Sequence, residues 1–156
     1  IGYAAGPREL IEKMKAFQSQ STSCPCSISQ YAAVEALDGN QRVIAQTIAT
    51  YKKRHDQLYE YLSNISGCKI IPSSGAYYLF PNVEAIIKRL GLKDDIELAE
   101  LILERAGVSV LPGSIFGAEN HLRISFVISD DKLTQAIERI ESILNPKEAN
   151  EDTAST

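Results

Sequence analysis

GVSVLPGSIFGAENHLRISF, residues 107–126, sets the reading of the whole chain. Two apolar runs, residues 108–111 and 121–127, flank a loop punctuated by Pro112, Gly113 and Gly117, which predicts strand, turn, strand. Arg123 falls inside the second run. Side chains alternate across a strand, so Leu122, Ile124 and Phe126 share one face while Arg123, Ser125 and Val127 share the other. A guanidinium is a planar, permanently charged fork of five donors, suited to gripping a carboxylate in bidentate fashion. Pattern alone leaves a second reading open, an edge-strand arginine facing water.

The rest of the composition narrows the classes. A chain of 156 residues is long enough for one ordinary domain with a sizeable core, and 44% hydrophobic with 23% charged residues are globular values. A net charge of -4 offers no basic field to nucleic acid or to an anionic membrane, so neither is an expected partner. No apolar run approaches a membrane span, and IGYAAGPREL lacks the basic region and apolar core of a signal peptide, so a soluble, cytoplasmic protein is expected. Cys24, Cys26 and Cys68 cannot pair completely and read as free thiols. His55 and His121 add no recognisable zinc spacing, so no metal site is expected. The strand-like opening at residues 1–5 suggests a polypeptide cut from something longer.

Working outward, Pro7 is placed to open a helix ending near Ser19, with Leu10, Ile11, Met14 and Phe17 on its apolar face. A polar loop through Cys24, Pro25 and Cys26 precedes a second helix over residues 27–37, with Gly39 as a left-handed stop. The longest helix is predicted over residues 40–65. Its seam is Ile44, Ile48, Tyr51, His55, Leu58, Leu62 and Ile65, in which His55 and Tyr51 read as packed residues. Short strands follow at residues 68–71 and 76–80, then a helix over residues 83–90 closed by Gly91. Asp94 with Glu97 resembles a capping box for a largely apolar helix stopped by Gly107. After the opening stretch, Ser129, Asp130 and Asp131 start a last helix with the stripe Leu133, Ile137, Ile140 and Leu144, ended by Pro146. Residues 147–156, almost devoid of apolar content, are expected to be disordered. The order predicts α+β layering, a small sheet with helices packed on one face; residues 1–39 fit it poorly and read as the end of a larger α/β domain.

No complete catalytic set is visible. A phosphate-binding loop of the P-loop type, a GxGxxG fingerprint and a serine elbow are all missing. GSIFG lacks the lysine and following helix of a phosphate loop and reads as a turn. The acid pairs Asp94/Asp95 and Asp130/Asp131 are accounted for by helix N-termini.

IGYAAGP at Ile1, STS with Pro25 and SISQYAAVEAL within residues 21–37, SSGAYYLFPN from Ser73, GVSVLPGSIFG from Gly107 and HLRISF from His121 together resemble the C-terminal portion of the class I aminotransferases. The resemblance runs from Ile1 to about Leu144, with the bacterial aspartate aminotransferase subgroup nearest. It implies a fold type I enzyme that uses pyridoxal 5'-phosphate and acts as a homodimer on amino acid and 2-oxo acid substrates. Arg123 would match the arginine that binds the substrate α-carboxylate. Gly75 and Tyr77 would match the GAF segment over the substrate, with tyrosine where phenylalanine is common. Gly2 and Tyr3 would follow the cofactor-phosphate arginine, and Pro112, Gly113 and Phe116 would form the PGSAFG turn, with Ile115 replacing alanine.

The resemblance implies a division into residues 1–39, a remnant of the large cofactor domain, residues 40–145, a linker helix plus small domain, and the tail at residues 146–156. Cys24 and Cys26 depart from the family's SNPT loop. The family's Schiff-base lysine and the acid that pairs the pyridine nitrogen lie upstream of the segment matching Ile1. No lysine here has that context, so the chain as it stands is expected to be unable to transaminate. The alternative is a noncatalytic α+β module binding a carboxylated metabolite or a protein partner.

Overall fold

The computed structural model describes residues 1–145; the expectations for Pro146 and the tail at residues 147–156 lie outside the described residues. In chain order the elements are α1 (Arg8–Ser21), α2 (Ser27–Asp38), α3 (Arg42–Ser63), β1 (Tyr78–Leu79), α4 (Glu84–Leu90), α5 (Asp95–Ala106), β2 (Leu111–Pro112), a 3-10 turn (Gly113–Phe116), β3 (Leu122–Ser125) and α6 (Asp130–Leu144). Contacts divide the chain into two compact units, Ile1–Gln46 and Thr47–Thr156, with the boundary inside α3.

The first unit holds α1, α2 and the start of α3. Pro7 occupies the N-cap of α1, as its missing N–H allows. Neither α1 nor α2 contains a buried residue, and Leu10, Met14, Phe17, Tyr31, Val34 and Leu37 are all exposed. Residues 1–5 are not a strand, because a strand needs a hydrogen-bonding neighbour and none pairs with them among the described residues. Gly39 does follow α2, but with extended backbone at φ -76° and ψ -170°, not in the left-handed region.

The second unit is the predicted α+β layering. Its three-stranded sheet has the order β1-β3-β2, and both pairings are antiparallel. Register sets Tyr78 opposite Ser125 and Leu79 opposite Ile124, with Leu111 opposite Arg123. The buried face carries Leu79, Leu122, Ile124 and Phe126. These join Leu58 and Leu62 of α3, Ile86 of α4, Leu98 and Ile102 of α5, and Leu133, Ile140 and Leu144 of α6 in one core. The period-2 alternation of β3 and the helical stripe of α6 therefore hold as read from sequence. The α3 seam holds only in its second half: Leu58, Leu62 and Ile65 are buried, whereas Ile44 and Ile48 are exposed.

Helix ends follow local chemistry. Asp94 caps α5, its carboxylate accepting from the N–H groups of Ile96 at 3.1 Å and Glu97 at 3.0 Å. Glu97 returns a bond not to Asp94 but one residue earlier, accepting from the Lys93 N–H at 2.7 Å. Gly91 and Gly107 close α4 and α5 at φ 67° and 64°, a conformation that favours glycine. Ser129 stands at the N-cap of α6 without a side-chain capping bond. The strands are shorter than predicted: residues 68–71 make only an isolated bridge, Lys69 to Asn82, and Ala76 sits at φ 66°, which keeps β1 from starting before Tyr78.

Candidate functional site

β3 is the central strand, so Arg123 does not stand on a sheet edge. Its guanidinium carbon lies 4.2 Å from the Tyr78 ring centroid and 5.1 Å from that of Phe116. Each such contact contributes about 0.5–2 kcal/mol and presents an aromatic face to the cation. Among the described residues no carboxylate forms an ion pair with Arg123. Rings that cover a guanidinium face leave its in-plane N–H groups to a planar acceptor, the geometry of a bidentate carboxylate.

The turn that brings Phe116 over the arginine is tightly specified. The Gly113 N–H donates to the His121 carbonyl at 2.7 Å, and the Ala118 N–H donates to the Gly113 carbonyl at 3.1 Å. A Cβ at Gly113 would stand 2.4 Å from the Ala118 carbonyl oxygen and 2.6 Å from the His121 Cβ, so only glycine fits. Asp95, 1% exposed, reaches across from the start of α5 and accepts from the Ser114 N–H at 2.7 Å. Asp95 thus does more than complement a helix N-terminus, which is all that the sequence pattern implies. Beneath the turn, the rings of Phe80 and His121 stack at 5.1 Å, and Phe80 meets Phe116 edge-on at 6.4 Å.

Of the predicted site residues, Tyr77 lies beside Arg123's contact and Gly75 lies apart. The Tyr77 ring meets Tyr78 edge-on at 5.8 Å, and its carbonyl accepts from the Phe126 N–H at 3.1 Å. Tyr78, not Tyr77, touches the guanidinium. Tyr78 escapes a sequence reading because its face is fixed by pairing with Ser125, a register that a strand of two residues does not announce. Gly75 lines a cavity with Tyr51, His55, Ser73 and Phe126, reached by the buried-face residue Phe126 and not by Arg123.

Reactive groups elsewhere are subdued. Burial pushes the Cys68 thiol up to about 11 and raises the Tyr61 phenol as well, so neither ionises near neutrality. Hydrogen bonds from Lys53 and Arg54 hold the Asp130 carboxyl below its ordinary value. Lys13, Lys15, Lys52, Lys53, Lys88 and Lys93 are each engaged by a carboxylate, and Lys69 and Lys132 are exposed. Among the described residues no cluster of His, Cys, Asp or Glu could hold a metal ion.

Residues 1–140 match the family model described as "Aminotransferase class I and II". The chain belongs to this family. Among similar aminotransferases, the aspartate/prephenate aminotransferase of Nitrosomonas europaea is 40% identical over 151 residues, covering 93% of the chain and 38% of that protein. The aspartate aminotransferase of Geobacillus stearothermophilus is 39% identical, covering 94% of the chain and 37% of that protein. The crystal structure of the aspartate aminotransferase from Rhizobium meliloti superposes with a TM-score of 0.82 at 38% identity, over 92% of the chain and 37% of that structure. A Thermus thermophilus aspartate aminotransferase with maleate gives 0.80 at 37% identity, over 92% and 36%. The chain thus spans under two fifths of the length of these aminotransferases. Its three-stranded sheet and surrounding helices form part of the fold type I architecture. No described helix is long and apolar enough to cross a membrane.

Proposed function

We propose that this chain supplies the substrate-carboxylate site of a pyridoxal-phosphate-dependent aminotransferase that moves the amino group of aspartate to 2-oxoglutarate. The observation that carries the reading is Arg123, faced by Tyr78 and Phe116 and without a carboxylate partner among the described residues. All four molecules of that exchange carry a carboxylate beside the reacting carbon. One bidentate clamp therefore serves both half-reactions and fixes the orientation of the Cα bonds. Gly75 and Tyr77 are assigned to the segment beside the substrate, with Tyr77 reaching the clamp through Tyr78.

When bound, pyridoxal phosphate supplies the electron sink. The described residues do not fit that group, since their lysines are solvated or engaged by carboxylates, and the chemistry assigned to this chain is binding and orientation alone. The cofactor site and the cofactor-bonding lysine belong to the remainder of a full-length enzyme in this proposal. Residues 1–39 are its large-domain portion and residues 40–145 its linker helix and small domain, within a cytoplasmic homodimer.

In the enzyme that contains this chain, Arg123→Lys keeps the charge and removes the fork. It should lower kcat/KM for aspartate and for 2-oxoglutarate together, by about 100-fold, without changing the unfolding temperature. Unchanged kinetics would remove Arg123 from the site. The 156-residue chain alone should not transaminate when given pyridoxal phosphate and both substrates, and a stoichiometric borohydride-trapped adduct at one lysine would contradict that assignment.

A further inference from the structure

Among the described residues Asp95 is the only buried polar or charged side chain, and no cation pairs with it. Taking a carboxyl group out of water without a counter-ion costs free energy, so its place needs a physical reason. Two features of the fold meet it. Asp95 is the first residue of α5, where the free N–H groups of the helix favour negative charge, and its Oδ2 accepts from the Ser114 N–H at 2.7 Å.

That bond spans 19 residues and, among the described residues, is the only hydrogen bond from the Gly113–Phe116 turn to a helix. The other bonds of the turn are local: Gly113 N–H to the His121 carbonyl, Gly117 N–H to the Ser114 carbonyl and Ala118 N–H to the Gly113 carbonyl. They shape the turn, and the Asp95 bond fixes it against the helix layer. Phe116 is the last residue of the turn, with its ring 5.1 Å from the Arg123 guanidinium carbon. Tyr78, the other ring on Arg123, is held instead by the pairing of β1 with β3. One aromatic contact thus depends on the sheet and the other on the turn that Asp95 holds.

We propose that Asp95 is a positioning residue of the carboxylate site. By holding the Ser114 N–H it keeps Phe116 against Arg123, and the ring restricts the guanidinium to the orientation in which its fork meets a carboxylate. Less side-chain freedom is then lost on binding. The proposal rests on the reading of Arg123 as the carboxylate clamp; Asp95 acts through Phe116 and does not itself meet the substrate.

Asp95→Leu keeps the branched shape and removes the acceptor, whereas Asp95→Asn keeps both the shape and an acceptor oxygen. In the folded chain, nuclear Overhauser contacts to the Arg123 side chain are read alongside a succinate titration. Asp95→Leu should lose the Phe116–Arg123 contact, keep the Tyr78–Arg123 contact and bind succinate about fivefold more weakly. Asp95→Asn should keep both contacts and wild-type affinity. In the unsubstituted chain the Ser114 amide should resist exchange with solvent, and exchange at the rate of an exposed amide would overturn the tether without any substitution. A Phe116–Arg123 contact retained in Asp95→Leu, loss of both ring contacts together, unchanged succinate affinity, or an equal loss in Asp95→Asn would overturn the proposal and leave the carboxylate reading standing. No succinate binding by the unsubstituted chain would overturn the carboxylate reading, and this role with it.

Discussion

Both compact units carry helices with a patterned apolar face, and those faces end in opposite states. In Ile1–Gln46, α1 presents Leu10, Met14 and Phe17 at helical spacing, and all three are exposed. In the unit from Thr47 onward, α5 and α6 present Leu98, Ile102, Leu133 and Ile140, each at most 2% exposed. Periodicity says which face of a helix would be buried. Burial itself needs a second surface, and in the second unit the sheet provides it.

That contrast is open to attack by substitution. The largest effect is expected in the core: Leu98→Ala should destabilise the chain by about 2–5 kcal/mol in denaturant unfolding. Leu10→Ala on α1 should change it by less than about 0.5 kcal/mol. Equal costs would mean that α1 is packed after all. Next come the glycines. Gly113→Ala forces a Cβ against the Ala118 carbonyl and should cost about 1–3 kcal/mol, whereas Gly6, with nothing within 4 Å of an added methyl, should accept alanine freely. Because the Gly113 turn carries Phe116, the same substitution should also loosen the ring contact over Arg123, seen as a change in the Phe116 ring resonances.

The smallest effect is electrostatic. Asp130 ties α6 to α3, its carboxylate 2.7 Å from both Lys53 Nζ and Arg54 Nε. Its folded value is depressed, so the contribution is present above the ordinary value of 3.8 and is lost as pH falls through the folded value. Asp130→Asn should flatten that acid limb. An unchanged acid limb would show that the pair is too well solvated to matter.

Much of this is legible in sequence because the signals are local. Alternation in β3, the stripe of α6, the Asp94 cap and the stops at Gly91 and Gly107 each depend on a few neighbouring residues. The misses share a different cause. Sequence does not single out Tyr78 because the face of a two-residue strand is set by its partner, not by its own pattern. Asp95 reads as no more than a helix-terminus charge because its bond to Ser114 spans 19 residues. The exposed first half of the α3 seam reflects the same limit: a heptad-like stripe specifies a face, and what covers it is a tertiary fact. The arginine itself is visible, since a charge inside an apolar strand demands a partner, but its aromatic flanks are not.

The claim on which the account turns is that the Arg123 fork receives a carboxylate. Titrating the chain with succinate, and in parallel with its uncharged diamide, while following the Arg123 Nε–H signal tests it directly. Succinate should shift that signal and the Phe116 and Tyr78 ring signals saturably, the diamide should not, and Arg123→Lys should abolish the ring shifts. Ring shifts of the same size in Arg123→Lys, or no saturable response to succinate, would contradict it.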